Sequence, residues 1–246
     1  MNHLSNAFSL LELDLEDAMG ESVVPASSDN NFETRAEHSN DDEFMPICEN
    51  KAGQTTERPP AVFKMPLLWI DLEMTGLNVE VDRVLEIACV ITDGNLKKSI
   101  EGPDLVIHQT KECLDKMGQW CQDHHLASGL TEKVLHSTIT EQEAEREVIE
   151  FVTKHIGPYT PLIAGNSVYV DLIFLRKYMP DLAALFSHVI VDVSSIKALC
   201  LRWYPRDNRK APRKNNKHRA MDDIKESIAE LKFYKDHIFK PSKSKI

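Results

Sequence analysis

The chain of 246 residues lacks the sequence features of several classes of protein. Its five cysteines are scattered and odd in number, and no two of them have a spacing typical of a zinc site. This argues against a scaffold held by disulfides or zinc. No apolar run approaches the length that spans a bilayer, and there is no internal repeat. These absences predict an intracellular, cytoplasmic protein with reduced thiols and no membrane association.

Basic residues are scarce near the N-terminus. The first 60 residues hold 13 Asp and Glu but 3 Lys and Arg, out of 39 and 29 in the chain, which leaves 26 of each sign in the rest. The net charge of −10 therefore lies in this segment, and the neutral remainder does not argue against a nucleic-acid partner. An organelle transit peptide is rich in Arg and poor in acids, so the composition argues against mitochondrial import.

The composition divides the chain into an acidic tail, residues 1–62, and a domain, residues 63–246. Ser, Asn, Asp and Glu dominate the tail, which predicts that it is mostly disordered. Within it, the spacing of Leu4, Phe8 and Leu11 predicts a short amphipathic helix that would fit a groove on a protein partner. Transient helicity without a partner is the alternative.

Beyond residue 66 the apolar pattern is typical of an α/β domain. Strands are predicted for the segments LLWIDLE, VLEIACVITD, DLVIH and HVIVDVSS. The second is apolar almost throughout, so we expect it to be buried on both faces. Helices are predicted for EQEAEREVIEFVTKHIG, VDLIFLRKYM, SIKALCLRWY and HRAMDDIKESIAELKFYKDHIF. This order predicts a mixed central sheet flanked by helices.

Two acids stand one residue apart in the first predicted strand. Asp71 and Glu73 point to the same face because side chains alternate along a strand. Two like charges on a central strand are costly unless a divalent cation binds them, and their hard oxygen ligands suit Mg²⁺ or Mn²⁺. For these two residues alone, a solvated strand end is the alternative interpretation.

Three further residues favour the metal site. Asp171 lies in the first turn of a predicted helix, where the helix dipole also favours an acid. In the last predicted helix, Asp223 flanks the buried stripe and faces the sheet, whereas Asp222 points away from it. His218 precedes that helix, and imidazole as a chemical group can exchange a proton near neutral pH, as a general base must, although a surface histidine would look the same.

The acids and the histidine together resemble the DEDD exonuclease superfamily in its His-containing branch. The motif is DxE in a first segment, Asp in a second and HxAxxD in a third. The stretches WIDLEMTGL, DRVLEIACVITD, HHLASGL, PLIAGNSVYVD and HRAMDDIKESIAELKFY further resemble the oligoribonuclease family over residues 66–239. The resemblance implies a ribonuclease H-like (exonuclease) fold, a homodimer, two Mg²⁺ or Mn²⁺ ions, and 3′→5′ hydrolysis of very short RNA to nucleoside 5′-monophosphates. It also makes a mitochondrial location conceivable despite the acidic tail.

The same resemblance assigns roles to individual residues. It makes His218 the general base that deprotonates the attacking water. The implied metal ligands are Asp71, Glu73, Asp171 and Asp223. The implied substrate contacts are Leu77 and Trp120, which wedge and stack the terminal bases, and His125 and Ser167, which contact phosphate. Without the resemblance, Leu77 and Trp120 would equally suit a core.

One segment departs from the family pattern. The family places Tyr and Arg, lent by the second subunit, at the 5′ phosphate, where this chain has His188 and Val189. His188 is a candidate replacement for the aromatic side chain, but Val189 cannot form a bidentate phosphate contact. A basic loop, residues 206–217, is a candidate for drawing in an anionic substrate, or is a solvated loop.

Two alternative functions remain open from the sequence. The first is a broader exonuclease of the same branch that trims longer RNA or DNA. The second is a catalytically silent adaptor that uses its acidic N-terminal helix. Leu77 and Trp120 favour short substrates over the first alternative, and the intact set of acids and histidine argues against the second.

Overall fold

The fold is seen in a computed structural model that describes residues 63–157, 159–212 and 219–239. The strands are β1 (Leu67–Met74), β2 (Val84–Thr92), β3 (Ser99–Val106), β4 (Leu162–Gly165) and β5 (Ile190–Asp192). The helices are α1 (Lys111–Asp115), α2 (Gln119–Ala127), α3 (Leu130–His136), α4 (Glu141–Ile156), α5 (Tyr169–Tyr178), α6 (Pro180–Ala183), α7 (Val193–Trp203), α8 (Pro205–Asn208) and α9 (Ala220–His237). The predicted tail, residues 1–62, with its proposed helix, lies outside the described residues, which begin at the buried Phe63.

The five strands form one mixed sheet in the order β3-β2-β1-β4-β5. β1 pairs with β2, and β2 with β3, in antiparallel fashion. β1 pairs with β4, and β4 with β5, in parallel fashion. The predicted mixed sheet flanked by helices is therefore confirmed, and β1 lies at its centre.

Helices cover both faces of the sheet. Side chains of α4 and α5 pack on one face against Leu68, Ile70 and Leu72 of β1. Side chains of α7 and α9 pack on the other face against Leu67 and Trp69. As its apolar sequence predicts, β2 is buried along its whole length. A smaller cluster forms where α1, α2 and α3 pack together.

Local sequence explains where α4 and α5 begin and end. Thr140 caps α4 by accepting the N–H of Glu143, whose carboxylate accepts the N–H of Thr140 in return, a reciprocal capping box. Gly157, the last residue of the predicted helical segment, ends α4 with φ +66°, a conformation that favours glycine. Pro180 follows the end of α5, where a proline cannot continue the preceding helix.

Three strands differ from the predictions. β3 begins at Ser99 rather than at residue 104. β5 has three residues, because Asp192 accepts the N–H of Ser194 and so starts α7 within the predicted strand. β4 was not predicted, since its four residues form too short an apolar run.

In the part of the chain that the structure describes, no helix combines the length and the apolar character needed to span a bilayer. Cys89, Cys113, Cys121 and Cys200 are free thiols, as the sequence predicts.

Candidate active site

Strand β1 carries the first two carboxylates at its C-terminal end. Asp71 and Glu73 follow Leu67 and Trp69 on the face covered by α9, and both are partly buried. The face changes from apolar to acidic at Asp71, beyond the point where Trp69 packs against the helix side chains. The predicted common orientation of the two acids therefore holds.

Helix α9 supplies the third carboxylate from its first turn. One oxygen each of Asp71, Glu73 and Asp223 lies within 4.8 Å of the others. Ile224 and Leu231, which are buried against the sheet, fix the helix so that Asp223 reaches β1. The helical geometry predicted from the sequence is correct for Asp223, and Asp222 is not one of the three.

The donor set fits a divalent cation. Carboxylate oxygens are the ligands that small divalent ions prefer, and three that converge without a cation repel one another. Burial raises the pKa of Glu73 to about 8, and the charges of Asp223, Glu86 and Asp171 add to the effect. A cation would replace the proton that this carboxylate otherwise retains near neutral pH.

Asp171 lies next to this cluster on the first turn of α5. It is buried, and its Oδ1 accepts the backbone N–H of Leu72, the residue between Asp71 and Glu73, at 2.9 Å. Burial raises the pKa of Asp171 to about 8, although the N–H of Leu72 opposes the shift. The structure thus brings the fourth predicted acid to the same strand segment, bonded to its backbone.

An ion pair that sequence reasoning missed anchors the start of α9. Glu86 of β2 pairs in register with Glu73 and is fully buried. Its carboxylate accepts from the guanidinium of Arg219 and, at 3.3 Å, from the N–H of Ala220. Arg219 therefore holds the first turn of α9, and with it Asp223, against the sheet. A lone acid inside the apolar strand VLEIACVIT was the available signal.

His218, the predicted general base, lies outside the described residues, which resume at Arg219. Part of the basic loop predicted at residues 206–217 is helical, because residues 206–208 belong to α8. The described part of this segment ends at residue 212. The role of His218 therefore stays a prediction.

The imidazole of His125 lies close to the carboxylate of Glu73. Its Nε2–H donates to the carbonyl of Met74 at 2.9 Å, and its Nδ1 is 3.9 Å from Oε2 of Glu73. The side chain is 2% exposed, so a direct contact with phosphate would require the site to open. The observed contacts instead suit a role in orienting the end of β1, which sequence reasoning did not foresee.

Trp120 is partly exposed on α2. Its ring stacks on that of His124, with centroids 3.8 Å apart and planes at 21°. It also packs against the small apolar cluster that includes Leu85 and Met117. An indole supported in this way can still present ring surface to a base.

Leu77 lies in the loop that connects β1 to β2, residues 75–83. It is partly buried, and its side chain packs against the core cluster on the α4 and α5 face of the sheet. The strand that carries Asp71 and Glu73 therefore leads directly into this predicted base contact.

Ser167 lies between β4 and α5 with φ +49°. Its N–H donates to Oδ1 of Asp192 and to Oγ of Ser194, at 3.0 and 2.9 Å, and its hydroxyl is 3.1 Å from that of Ser194. These bonds join the ends of two parallel strands and hold Ser167 four residues before Asp171.

His188 and Val189 are exposed immediately before β5, the edge strand. In the sheet β5 is separated from β1 by β4, so these residues lie away from the carboxylates of β1. A contribution of His188 to a site on a second subunit stays a prediction.

Comparison with known proteins places these residues in a family. The exonuclease family profile matches residues 68–231. An oligoribonuclease of Arabidopsis thaliana is 60% identical over 240 residues, which cover 98% of this chain and 99% of that protein. The mitochondrial oligoribonuclease of Homo sapiens is 51% identical over 174 residues, 71% of this chain and 73% of that protein. Similarity to the plant protein thus includes most of the acidic tail.

Solved structures of exonuclease I share the fold. The zinc-bound Escherichia coli exonuclease I in complex with single-stranded DNA matches with a TM-score of 0.51 and 18% identity. An apo exonuclease I matches with a TM-score of 0.53, also at 18% identity. The match covers 70% of this chain but 41% and 42% of those chains, so this chain spans about two fifths of their length. The likeness shows the exonuclease fold of the ribonuclease H type.

Proposed function

Because the chain belongs to the exonuclease family and, within it, to the oligoribonucleases, we propose that it hydrolyses very short RNA from the 3′ end. The products are nucleoside 5′-monophosphates, so the reaction completes RNA degradation. One observation carries this proposal: Asp71, Glu73 and Asp223 converge within 4.8 Å at the end of the central strand.

The cofactors are two Mg²⁺ or Mn²⁺ ions, held by those three residues and Asp171. When bound, such ions polarise the scissile phosphate and stabilise the charge that develops during its displacement. Four carboxylates balance two divalent ions, so the loaded site is near neutral before the anionic substrate arrives. Leu72 helps to organise this set, since its N–H fixes the carboxylate of Asp171 at 2.9 Å.

His218 acts as the general base that takes the proton of the attacking water. The residue that follows it, Arg219, is fixed to the buried Glu86, so the chain enters α9 in a defined direction. This anchor holds the first turn of α9, which carries Asp223, against the sheet.

Substrate binding combines stacking with phosphate contacts. Leu77 wedges beside the 3′-terminal base, and Trp120, backed by His124, stacks on a base. Ser167 contacts phosphate through its hydroxyl at the end of β4. His125 contacts phosphate only if the end of β1 moves; in its observed place it supports Glu73.

The enzyme acts as a homodimer. Val189 and Ile190, at the edge strand β5, are 44% and 37% exposed, and Leu199 and Trp203 of the following helix are 43% and 66% exposed. An edge strand with apolar side chains favours pairing with another chain. A second subunit seated there would bring its His188 towards the first.

The proposal has three further parts. The protein is located in the cytoplasm, residues 1–62 bind a protein partner, and the catalytic domain begins after residue 62.

Cleavage of 5′-labelled RNAs of graded length, from two nucleotides to about twenty, in Mg²⁺ buffer tests the function. We expect turnover to be fastest on the shortest substrate and to require the divalent ion. Asp223→Asn should abolish cleavage, whereas the matched control Asp222→Asn should leave it within about twofold. Faster turnover of the longest RNA would favour the broader exonuclease. Unchanged cleavage by Asp223→Asn would overturn the assignment of the site.

A further inference from the structure

The loop that carries Leu77, residues 75–83, is closed at its base by backbone and side-chain bonds. The N–H of Thr75 donates to the carbonyl of Arg83, and the N–H of Arg83 donates to the hydroxyl of Thr75, both at 3.0 Å. The loop therefore leaves and re-enters the sheet at fixed points, with Leu77 near its start.

Asp82 holds the interior of this loop. Its Oδ1 accepts the hydroxyl of Thr75 at 2.9 Å and its Oδ2 accepts the N–H of Asn78 at 2.8 Å, so it binds both sides of the Gly76–Leu77 pair. A Cβ added to Gly76 would lie 2.3 Å from Oδ2 of Asp82. The glycine therefore permits the carboxylate to fill the loop.

Tyr178, the last residue of α5, fixes the loop from outside. Its hydroxyl oxygen lies 2.8 Å from the carbonyl oxygens of both Val79 and Asp82, and its one proton is shared between these two acceptors. The guanidinium of Arg83 lies over its ring, 4.5 Å from the centroid, and is itself paired with the buried Glu141 at 2.6 Å. The loop is thus joined to both α4 and α5.

Helix α5 connects this arrangement to the carboxylates. Asp171 in its first turn binds the N–H of Leu72, and Tyr178 in its last turn binds the carbonyls of the loop. The two residues are about two helical turns apart, roughly 10 Å. One rigid helix therefore sets the separation between the metal-binding strand and Leu77.

We infer that Asp82 and Tyr178 are positioning residues for base recognition: they hold Leu77 at a fixed distance from the scissile phosphate. The inference rests on the proposed function, because it takes Leu77 to contact the 3′-terminal base. Asp82 and Tyr178 therefore affect binding of the terminal base and do not affect the hydrolysis step at the carboxylates.

Steady-state kinetics on a diribonucleotide, compared with an analogue that lacks the 3′-terminal base, tests this. Tyr178→Phe and Asp82→Asn should each raise KM for the diribonucleotide about three- to tenfold, with kcat changed less than about twofold. Neither should change KM for the abasic analogue. Glu80→Gln is the matched control: Glu80 lies on the same loop, and its exposed carboxylate pairs with Lys177 of α5. This variant should match wild type on both substrates, because exposed ion pairs contribute little.

A double-mutant cycle separates positioning from general stability. In a Leu77→Ala background, Tyr178→Phe should have no further effect on KM, since the positioned side chain is absent. Equal losses on both substrates, an additive effect in the Leu77→Ala background, or no effect at all would each overturn the inference. Failure of the wild-type protein to cleave the diribonucleotide would instead overturn the proposed function, and this inference with it.

Discussion

The two faces of strand β1 differ in where their apolar surface ends. On the face covered by α4 and α5, Leu68, Ile70 and Leu72 are buried in the core along the whole strand. On the face covered by α7 and α9, the apolar surface stops at Trp69, and Asp71 and Glu73 follow. The same backbone therefore serves as core on one face and as a carboxylate site on the other.

The difference shows what holds the site in place. Burial and the neighbouring acids make a charge on Glu73 costly, and the raised pKa of Glu73 reflects that cost. The apolar face and the anchor between Glu86 and Arg219 hold the strand and α9 in position. Substitutions on the acidic face should therefore affect mainly activity, and substitutions on the apolar face or at the Glu86–Arg219 anchor should affect mainly stability. Three substitutions and a change of pH test this difference.

The largest effect is expected for Asp71→Ala. Loss of a metal ligand should lower kcat/KM about a thousandfold or more, because metal stabilisation of the developing charge contributes several kcal/mol. The unfolding midpoint of the metal-free protein should stay the same or rise, since like charges are removed. Asp115→Ala, at an exposed acid paired with Lys111, is the control and should keep activity. An Asp71→Ala protein that is stable and fully active would contradict the assignment of function to the acidic face of β1.

Arg219→Ala should destabilise the protein most. It leaves the fully buried Glu86 without its cation, a change that costs about 3–5 kcal/mol when a buried pair is broken. Urea denaturation monitored by circular dichroism measures this. Lys225→Ala, which removes the exposed ion pair with Glu101 from the same helix, should cost less than about 1 kcal/mol. Equal effects of the two changes would show that the buried anchor is no stronger than a surface pair.

Leu68→Ala on the apolar face should cost about 2–5 kcal/mol through lost burial and the cavity left behind. At a denaturant concentration where the protein stays folded, kcat should change little, because Leu68 points away from the carboxylates. Leu126→Ala is the matched control, since Leu126 is 71% exposed and its truncation should cost less than about 0.5 kcal/mol. A large loss of kcat in folded Leu68→Ala protein would mean that the faces are not separable.

Much of the carboxylate site can be predicted from residue patterns that repeat within a single strand or helix. The alternation along β1 predicts the common face of Asp71 and Glu73, and the helical period of α9 distinguishes Asp223 from Asp222. Both inferences need only the geometry of one element. The capping box at Thr140 and the glycine end at Gly157 are local in the same sense.

The remainder depends on contacts between distant segments, which a single sequence does not show. Arg219 and Glu86 lie 133 residues apart, and Tyr178 meets the loop 96 to 99 residues away. The burial of His125 beside Glu73 likewise depends on how α2 packs. Strand β4 is too short for its apolar run to be distinguished from a loop. For the contacts between distant segments, a local pattern can mark one residue as unusual, as it does for Glu86, but it does not identify the partner.

The last expected effect concerns pH, and it is gradual because the carboxyl groups titrate over several pH units. The pKa values of Glu73 and Asp171 are raised to about 8 in the folded protein, above their ordinary values of 4.5 and 3.8. The folded state thus binds more protons than the unfolded state between those values, so stability is greatest at low pH and falls as pH rises through about 8. In a chelator, the unfolding midpoint should decline towards pH 8, by about 2–4 °C per kcal/mol lost. Glu73→Gln should flatten the decline, and added Mg²⁺ should raise the midpoint more at pH 8 than at pH 6 because the ion displaces these protons. A midpoint that rises across this range in both proteins would contradict the raised pKa values.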